Sequence, residues 1–317
     1  MNYLPVELHT HSVHSDGKLE IEKLIEESKA FGYEAIFLTD HNTMSGLEDV
    51  KTFDLPLYKG VEWSTFHGHL LILGLPHAYD WTRANVDNLA NLILEIKKDG
   101  NFAFGIAHPR LIGSPLCMGC HWDFNLKNYD VINFIEVYNG PNPHENYSSE
   151  LNYQFWLDRV LEGNKIAPVA GRDWHTIQRD MLIPLTFLGI EGTLSEAYAI
   201  EALRKGRTYV SLGPVANLSI SSDREYQLGD TATNGRYNFK IILHSSSFIE
   251  KSSKEITLDR ILLFNNEEVI EERAIKYNEG LNFKFDLKRG FFRFEVLGEI
   301  DDKKVRLLIS APLWIGD

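Results

Sequence analysis

The fold is decided by the stretch Glu7-Leu8-His9-Thr10-His11-Ser12-Val13-His14-Ser15-Asp16-Gly17. The residues Tyr3-Leu4-Pro5-Val6-Glu7-Leu8 are mostly apolar and lack a helical period, so they read as a short buried strand delivering His9 and His11 at its C-terminal end. Side chains alternate along a strand, so both imidazoles point the same way. With Asp16 five residues beyond His11, one short segment offers the borderline nitrogen and hard oxygen donors that a divalent cation takes. A pair of polar core histidines is the plainer account. Three histidines and an aspartate between positions 9 and 16, with more histidines downstream, set it aside.

The arrangement recurs along the chain. Leu19 to Phe31 places Ile21, Leu24, Ile25 and Ser28 on one helical face, with Gly32 at the C-cap position. Ala35-Ile36-Phe37-Leu38 is a strand that stops at Thr39-Asp40-His41-Asn42, and Leu57 to Val61 is one that stops at Glu62. A further run begins at His69 and ends at Gly74. Ala84 to Asp99 has helical spacing; Phe102 to Ala107 is a strand ending at His108-Pro109-Arg110. Strand Val131 to Val137, helix Tyr153 to Glu162 and strand Ile166 to Gly171 follow, the last ending at Arg172-Asp173-Trp174-His175. Buried strands alternating with helices predict a mostly parallel sheet, closed as a barrel or doubly wound. In a barrel, functional groups gather at the C-terminal strand ends. Every polar cluster here falls at or just past such an end except His69, which starts its run.

Beyond about Gly213 the pattern changes to short, partly alternating runs such as Tyr237 to Leu243, Asn282 to Leu287 and Phe291 to Val296, separated by turn residues such as Asn265-Asn266. This predicts an α/β unit over 1–212 and an all-β, sandwich-like domain over 213–317 that carries no obvious ligand set.

The chain has 317 residues, 44% of them hydrophobic and 24% charged, enough for a substantial core. Its net charge is −13, from 32 basic and 45 acidic residues, and no Lys/Arg-rich block occurs, which disfavours bulk nucleic acid as a partner. No run approaches the roughly 20 apolar residues that span a bilayer. Without a charged leader and apolar core at the N-terminus, and with two cysteines, a cytoplasmic protein without membrane attachment is expected, unless a signal peptide has been removed. Cys117-Met118-Gly119-Cys120-His121 has the spacing of a c-type haem site, but nothing supplies an export route or second axial ligand. A redox pair, an extra metal loop or coincidence is preferred.

Taken in order, His9-x-His11 with Asp16, Thr39-Asp40-His41, Glu62 with His69, His108-Pro109 and Asp173-x-His175 resemble the PHP (polymerase and histidinol phosphatase) superfamily over roughly the first two-thirds of the chain. Gly60-Val61-Glu62, Gly68-His69-Leu70-Leu71, Gly171-Arg172-Asp173-Trp174-His175 and Gly206-Arg207-Thr208-Tyr209-Val210-Ser211-x-Gly213-Pro214 look like the CehA/McbA-type metallohydrolases within it. The resemblance implies a distorted seven-stranded (β/α) barrel holding two or three divalent ions. His9, His11, Glu62 and Asp173 would hold one, and Glu62 would bridge to a second held by His69 and His108. Asp16, His41 and His175 would hold a third. Zinc, manganese and iron all suit such donors. A carboxylate has two oxygens and can span two cations, and a water between them becomes hydroxide near neutral pH.

The chemistry expected is hydrolysis by that hydroxide, with Glu62 and Asp173 at the reacting centre and Arg110 and Arg172 gripping an anionic part of a small substrate. The PHP resemblance favours a phosphoester; the CehA/McbA resemblance permits a carbamate, amide or ester. A catalytically silent metal-binding module is the contrasting reading, which the complete ligand set opposes. Asp40 is expected to orient His41 or to cap the following loop. His14 is an alternative ligand to Asp16, and His67 a solvated loop residue. Glu136 would orient a ligand, touch substrate or accept backbone hydrogen bonds at its strand end. Trp63 and Trp174 would wall the pocket or pack behind it. Oligomeric state is left open.

Overall fold

The apolar run after Met1 forms β1 (Asn2–Glu7) in the computed structural model, which describes residues 1–48, 53–112 and 119–316. There follow α1 (Ile21–Phe31), β2 (Ala35–Leu38), β3 (Leu57–Thr65), β4 (Gly68–Leu73), α2 (Leu89–Ile96), β5 (Ala103–Ile106), β6 (Phe134–Asn139), α3 (Tyr147–Leu161), β7 (Ala167–Gly171), β8 (Leu185–Ile190), α4 (Glu196–Lys205) and β9 (Thr208–Ser211). The strands lie in the order β7-β6-β5-β4-β3-β2-β1-β8-β9, a mixed α/β arrangement rich in strands. β7 meets the far end of this run through side chains: Ala170 N–H donates to Thr186 Oγ1 at 2.7 Å and Thr208 Oγ1 donates to Pro168 O at 2.8 Å. No helix among the described residues is long and apolar enough to cross a membrane.

The sheet is less parallel than the sequence suggests. β1, β2 and β3 run parallel, as do β5, β6 and β7, but β4 is antiparallel to both β3 and β5. The cause is the link Phe66-His67: two residues suffice for a hairpin, whereas a parallel pair needs a crossover of a dozen or more. The start of β4 therefore lies beside the end of β3, with Ser64 opposite His69. His69 thus sits at the same end of the sheet as the other histidines. α3 begins at Tyr147, ahead of its apolar stripe, because Asn146 Oδ1 accepts from Ser148 N–H at 3.0 Å and caps it. α2 is shorter than expected, since residues 81–83 form a separate turn held by Asp80.

The remaining elements are β10 (Val215–Ser221), β11 (Glu225–Tyr226), β12 (Thr231–Thr233), β13 (Gly235–His244), α5 (Ser247–Lys251), β14 (Ile256–Asn265), β15 (Glu268–Ala274), β16 (Gly280–Leu287), β17 (Gly290–Ile300), β18 (Lys303–Ser310) and β19 (Leu313–Gly316). One antiparallel sheet has the order β11-β10-β13-β16. Its apolar side, with Phe239, meets Phe292 and Phe294 of β17 at ring separations of 5.6 and 5.0 Å. β17 in turn pairs with β14 and β18, and β18 pairs antiparallel with β9, Leu308 opposite Ser211. One hydrogen-bonded sheet therefore runs across the expected division at 212/213.

Candidate metal centre

Strand ends converge on Glu62, whose side chain is fully buried in β3. Its Oε2 lies 3.2 Å from His9 Nε2, 3.4 Å from His11 Nε2 and 2.9 Å from His41 Nδ1. Its Oε1 lies 3.0 Å from His69 Nδ1 and 3.3 Å from His108 Nε2. Asp173 Oδ1 is 3.4 Å from His9 Nε2 and 3.2 Å from His11 Nε2. Asp16 Oδ1 stands 3.0 Å from His175 Nε2 and 3.4 Å from His41 Nε2. All nine residues expected as ligands meet here. Their donor atoms fall into overlapping groups, each within 4.8 Å: His9, His11 and Glu62; His9, His108 and Asp173; His41, Glu62 and His69; His11, Asp16, His41 and His175.

A layer behind these groups fixes them. His9 Nδ1 lies 2.7 Å from Oε1 of the fully buried Glu136, whose Oε2 accepts from His108 N–H and Asn139 Nδ2, each at 2.9 Å. Glu136 thus combines two of its expected roles, orienting a ring and accepting a backbone N–H. Gly171 makes room for it: a Cβ there would come within 1.9 Å of Glu136 Oε1. Asp40 does something else than expected. It accepts from Ser12 N–H, Ser12 Oγ and Ser15 Oγ at 2.6 to 2.7 Å, and so shapes the loop between His11 and Asp16. His41 is instead held by Ser64 Oγ, 2.5 Å from its Nδ1. Glu7 is a buried acid that sequence reading passed over. Its Oε1 accepts from the N–H groups of Leu8, His9 and Arg172 and its Oε2 from Tyr33 Oη. Only its place in an apolar run marked it out.

The charges suit a cation. Burial alone would raise the pKa of Glu62 and Asp173, but the facing histidines, His9 foremost, hold both well below the usual carboxylate range. Conversely, burial would lower His9, yet Glu136, Glu62 and Asp173 lift it well above the ordinary imidazole value, and His108 likewise rises to about 8. Protons here take the place of cations. His9 Nε2 and His11 Nε2 are buried and make no hydrogen bond, although each faces Glu62 Oε2, at 3.2 and 3.4 Å. Such orphaned donor atoms aimed at a common interior point are what metal coordination satisfies, so these residues fit divalent cations.

Neither arginine is where an anion clamp at this cluster would need it. Arg110 Nη1 pairs with His121 Nε2 at 2.6 Å and its guanidinium lies over Phe155. Arg172 packs between Trp174 and Phe31 of α1, because neighbouring side chains at a strand end turn to opposite sides and Asp173 takes the cluster side. His14 bonds Ser45, leaving the ligand position to Asp16, while His67 packs edge-on against Phe124. Trp63 is buried in the core behind the centre. Cys120 is buried, and Cys117 lies outside the described residues.

Residues 7–108 match the PHP domain family, a span that runs from Glu7 to His108 and includes seven of the nine converging residues. No curated protein matches the chain. A two-domain protein from Bacteroides vulgatus, containing a predicted PHP-like metal-dependent phosphoesterase, is similar over 98% of this chain and 95% of its own, at 18% identity and a TM-score of 0.53. An amidohydrolase from Chromobacterium violaceum is similar over 54% of this chain and 87% of its own, at 16% identity and a TM-score of 0.35. The PHP domain match therefore covers the first part of the centre, and the likeness to the two-domain protein is one of fold along nearly the whole of both chains.

Proposed function

We propose that the protein is a metal-dependent hydrolase, a phosphoesterase of the PHP type acting on a small phosphorylated molecule. On this reading β1 to β9 form a distorted barrel, closing where β7 meets β8 and β9, and residues 213–317 a β-sandwich beside it. The observation that carries the proposal is Glu62, buried without exposure and turning one oxygen to His9 and His11 and the other to His69 and His108. His9, His11, Glu62 and Asp173 would hold one cation, Glu62, His69 and His108 a second, and Asp16, His41 and His175 a third. Bound there, such ions supply Lewis acidity and a water acidic enough to act near neutral pH. The chain supplies the geometry. Glu136 accepts from His9 Nδ1, which leaves Nε2 as the donor atom toward the centre. Side-chain exposure rises from 0% at Glu62 to 30% at His175 and 59% at Asp16, so substrate enters from the Asp16 and His175 side while the buried side keeps water out.

A carbamate, amide or ester hydrolase of the CehA/McbA type is the second reading. The engagement of Arg110 and Arg172 elsewhere favours it, because a phosphate dianion then has no guanidinium clamp at the centre. A panel of p-nitrophenyl phosphate, a bis-aryl phosphodiester and an aryl carbamate, run with and without chelator, separates the readings. Chelator-sensitive turnover of a phosphoester is expected. Carbamate turnover alone selects the second reading, and full metal content with no turnover leaves a silent binding module.

A further inference from the structure

Side chains along β17 alternate between two faces. Phe292 and Phe294 turn inward to Phe239, so Arg293, Glu295 and Leu297 stand on the opposite, outer face. β14 sets Phe264, Leu262 and Arg260 beside them in register, and β18 adds Arg306 opposite Leu297. Tyr153, Gln154 and Leu157 of α3 face this outer surface across a cleft of about 560 Å³. Its walls are largely aliphatic, with Leu157, Leu262, Leu297 and Val305 all partly exposed. The two rings present are each covered on one face by a guanidinium, Phe264 by Arg293 at 3.8 Å and Tyr153 by Arg306 at 4.1 Å. The charges of the cleft are unevenly matched. The buried Glu295 accepts from Tyr153 Oη, from Arg293 Nη1 and, at 3.2 Å, from Arg306 Nε. Arg306 also gives Nη1 to Glu150 at 2.5 Å, but its Nη2 makes no hydrogen bond among the described residues and its side chain is 28% exposed. Lys304, exposed on the same wall, forms no ion pair among those residues, whereas Arg260 is matched by Asp259 and Glu272.

We propose that this cleft binds a small carboxylate with an aliphatic tail, its charged end taken by Lys304 and Arg306 and its chain laid along the leucines and Val305. Small-molecule sites are mostly apolar clefts between packed units, with a few polar groups that fix orientation. An exposed ammonium and a guanidinium with a free edge suit a carboxylate, and the covered rings leave aliphatic surface for the tail. The two acids of the lining do not oppose it, since Glu295 is held by three donors and Asp259 by Arg260. The site also adjoins the strand that supports the metal centre: Tyr138 Oη donates to Arg306 O at 2.9 Å, and Tyr138 lies in β6 two residues beyond Glu136. The inference does not depend on the hydrolase reading.

Calorimetry with octanoate on the metal-loaded full chain tests it, with acetate as the carboxylate lacking a tail and octanol as the tail lacking a carboxylate. Octanoate should bind with a Kd of about a millimolar or tighter, and each control about tenfold more weakly or worse. Lys304→Glu, at an exposed position, should weaken octanoate about fivefold or more, and Val305→Trp, which fills the cleft, about tenfold. A carboxylate held at the metals binds alike in all three proteins. Unchanged affinity in either variant therefore overturns the proposal, as does a lack of octanoate binding or equal binding of acetate or octanol. Thermal unfolding checks each variant; should Val305→Trp fail to fold, Lys304→Glu decides alone.

Discussion

Glu136→Gln changes one atom of a fully buried side chain, and the structure dictates the consequence. All three neighbours of this carboxylate act as donors: His9 Nδ1 to Oε1 at 2.7 Å, and His108 N–H and Asn139 Nδ2 to Oε2 at 2.9 Å. A glutamine has a single acceptor oxygen. Placed toward His108 and Asn139, that oxygen leaves the amide NH₂ facing His9 Nδ1, and only the other tautomer, protonated on Nε2, can accept from it. A protonated Nε2 cannot ligate a metal. The flipped amide would instead set its NH₂ against two donors, a worse arrangement. Either way the tautomer that metal binding needs is disfavoured. Loss of such a carboxylate–histidine contact costs about 10- to 100-fold in metal affinity, or roughly 1.4 to 2.8 kcal/mol. Competition with a fluorescent chelator at constant pH measures it, and thermal unfolding of the metal-free variant checks that the fold survives. A metal Kd within about twofold of wild type would refute the reasoning, since the fixed tautomer would then contribute nothing.

Four further outcomes follow from the same geometry. Because the facing carboxylates raise His108 to about 8, above the ordinary imidazole value of 6.5, its contribution of roughly 2 kcal/mol to metal-free stability is complete below pH 6.5 and vanishes as pH rises through 8. Metal must displace those protons, so affinity should climb over the same window, and calorimetry in two buffers at pH 7 should detect proton release; a buffer-independent heat contradicts this. Glu62→Gln should reduce both metal content and turnover, and unchanged values would remove its bridging role. Gly171→Ala drives a methyl to within 1.9 Å of Glu136 Oε1 and should cost about 1 to 3 kcal/mol by thermal melt, together with weaker metal binding; a neutral result would mean that Glu136 moves freely. A chain ending at 212 strips β9 of its ladder with β18 and should not melt cooperatively, whereas a cooperative, metal-loaded fragment would vindicate the division at 212/213.

What the sequence reveals and what it conceals have a common physical basis. The apolar runs of β1, β2, β5 and β7 are legible because buried strands are short and end abruptly at polar groups, and the nine converging residues stand at or near those ends or, for His69, at a strand start. The reversal at β4 is hidden, because period-two alternation marks a strand without giving its direction; the two-residue link Phe66-His67 was the available clue. Arg172 is conspicuous in sequence but turns toward α1, since adjacency along a chain says nothing about sharing a face. The helix at Tyr147 opens on polar residues and needs its Asn146 cap to be seen. The ladder between β9 and β18 joins positions about a hundred residues apart, beyond any local pattern.

The legible part of the centre therefore rests on an illegible one. Two of the converging residues occupy left-handed backbone, His108 with φ 27° and Asp173 with φ 49°, a conformation that costs a non-glycine residue about 1 kcal/mol or more. Each lies at or next to a backbone N–H that donates to a buried carboxylate: His108 N–H to Glu136, and Arg172 N–H to Glu7, both at 2.9 Å. Glu7 is itself under strain, since burial raises it from 4.5 to about 6 despite those hydrogen bonds, so keeping it ionised at neutral pH costs roughly 2 kcal/mol. A fold selected for stability alone would place an apolar side chain there. The chain instead buries two acids behind its ligands. The consistent reading is that they hold His9, His108 and Asp173 in one arrangement before any cation arrives, so that binding does not have to impose it.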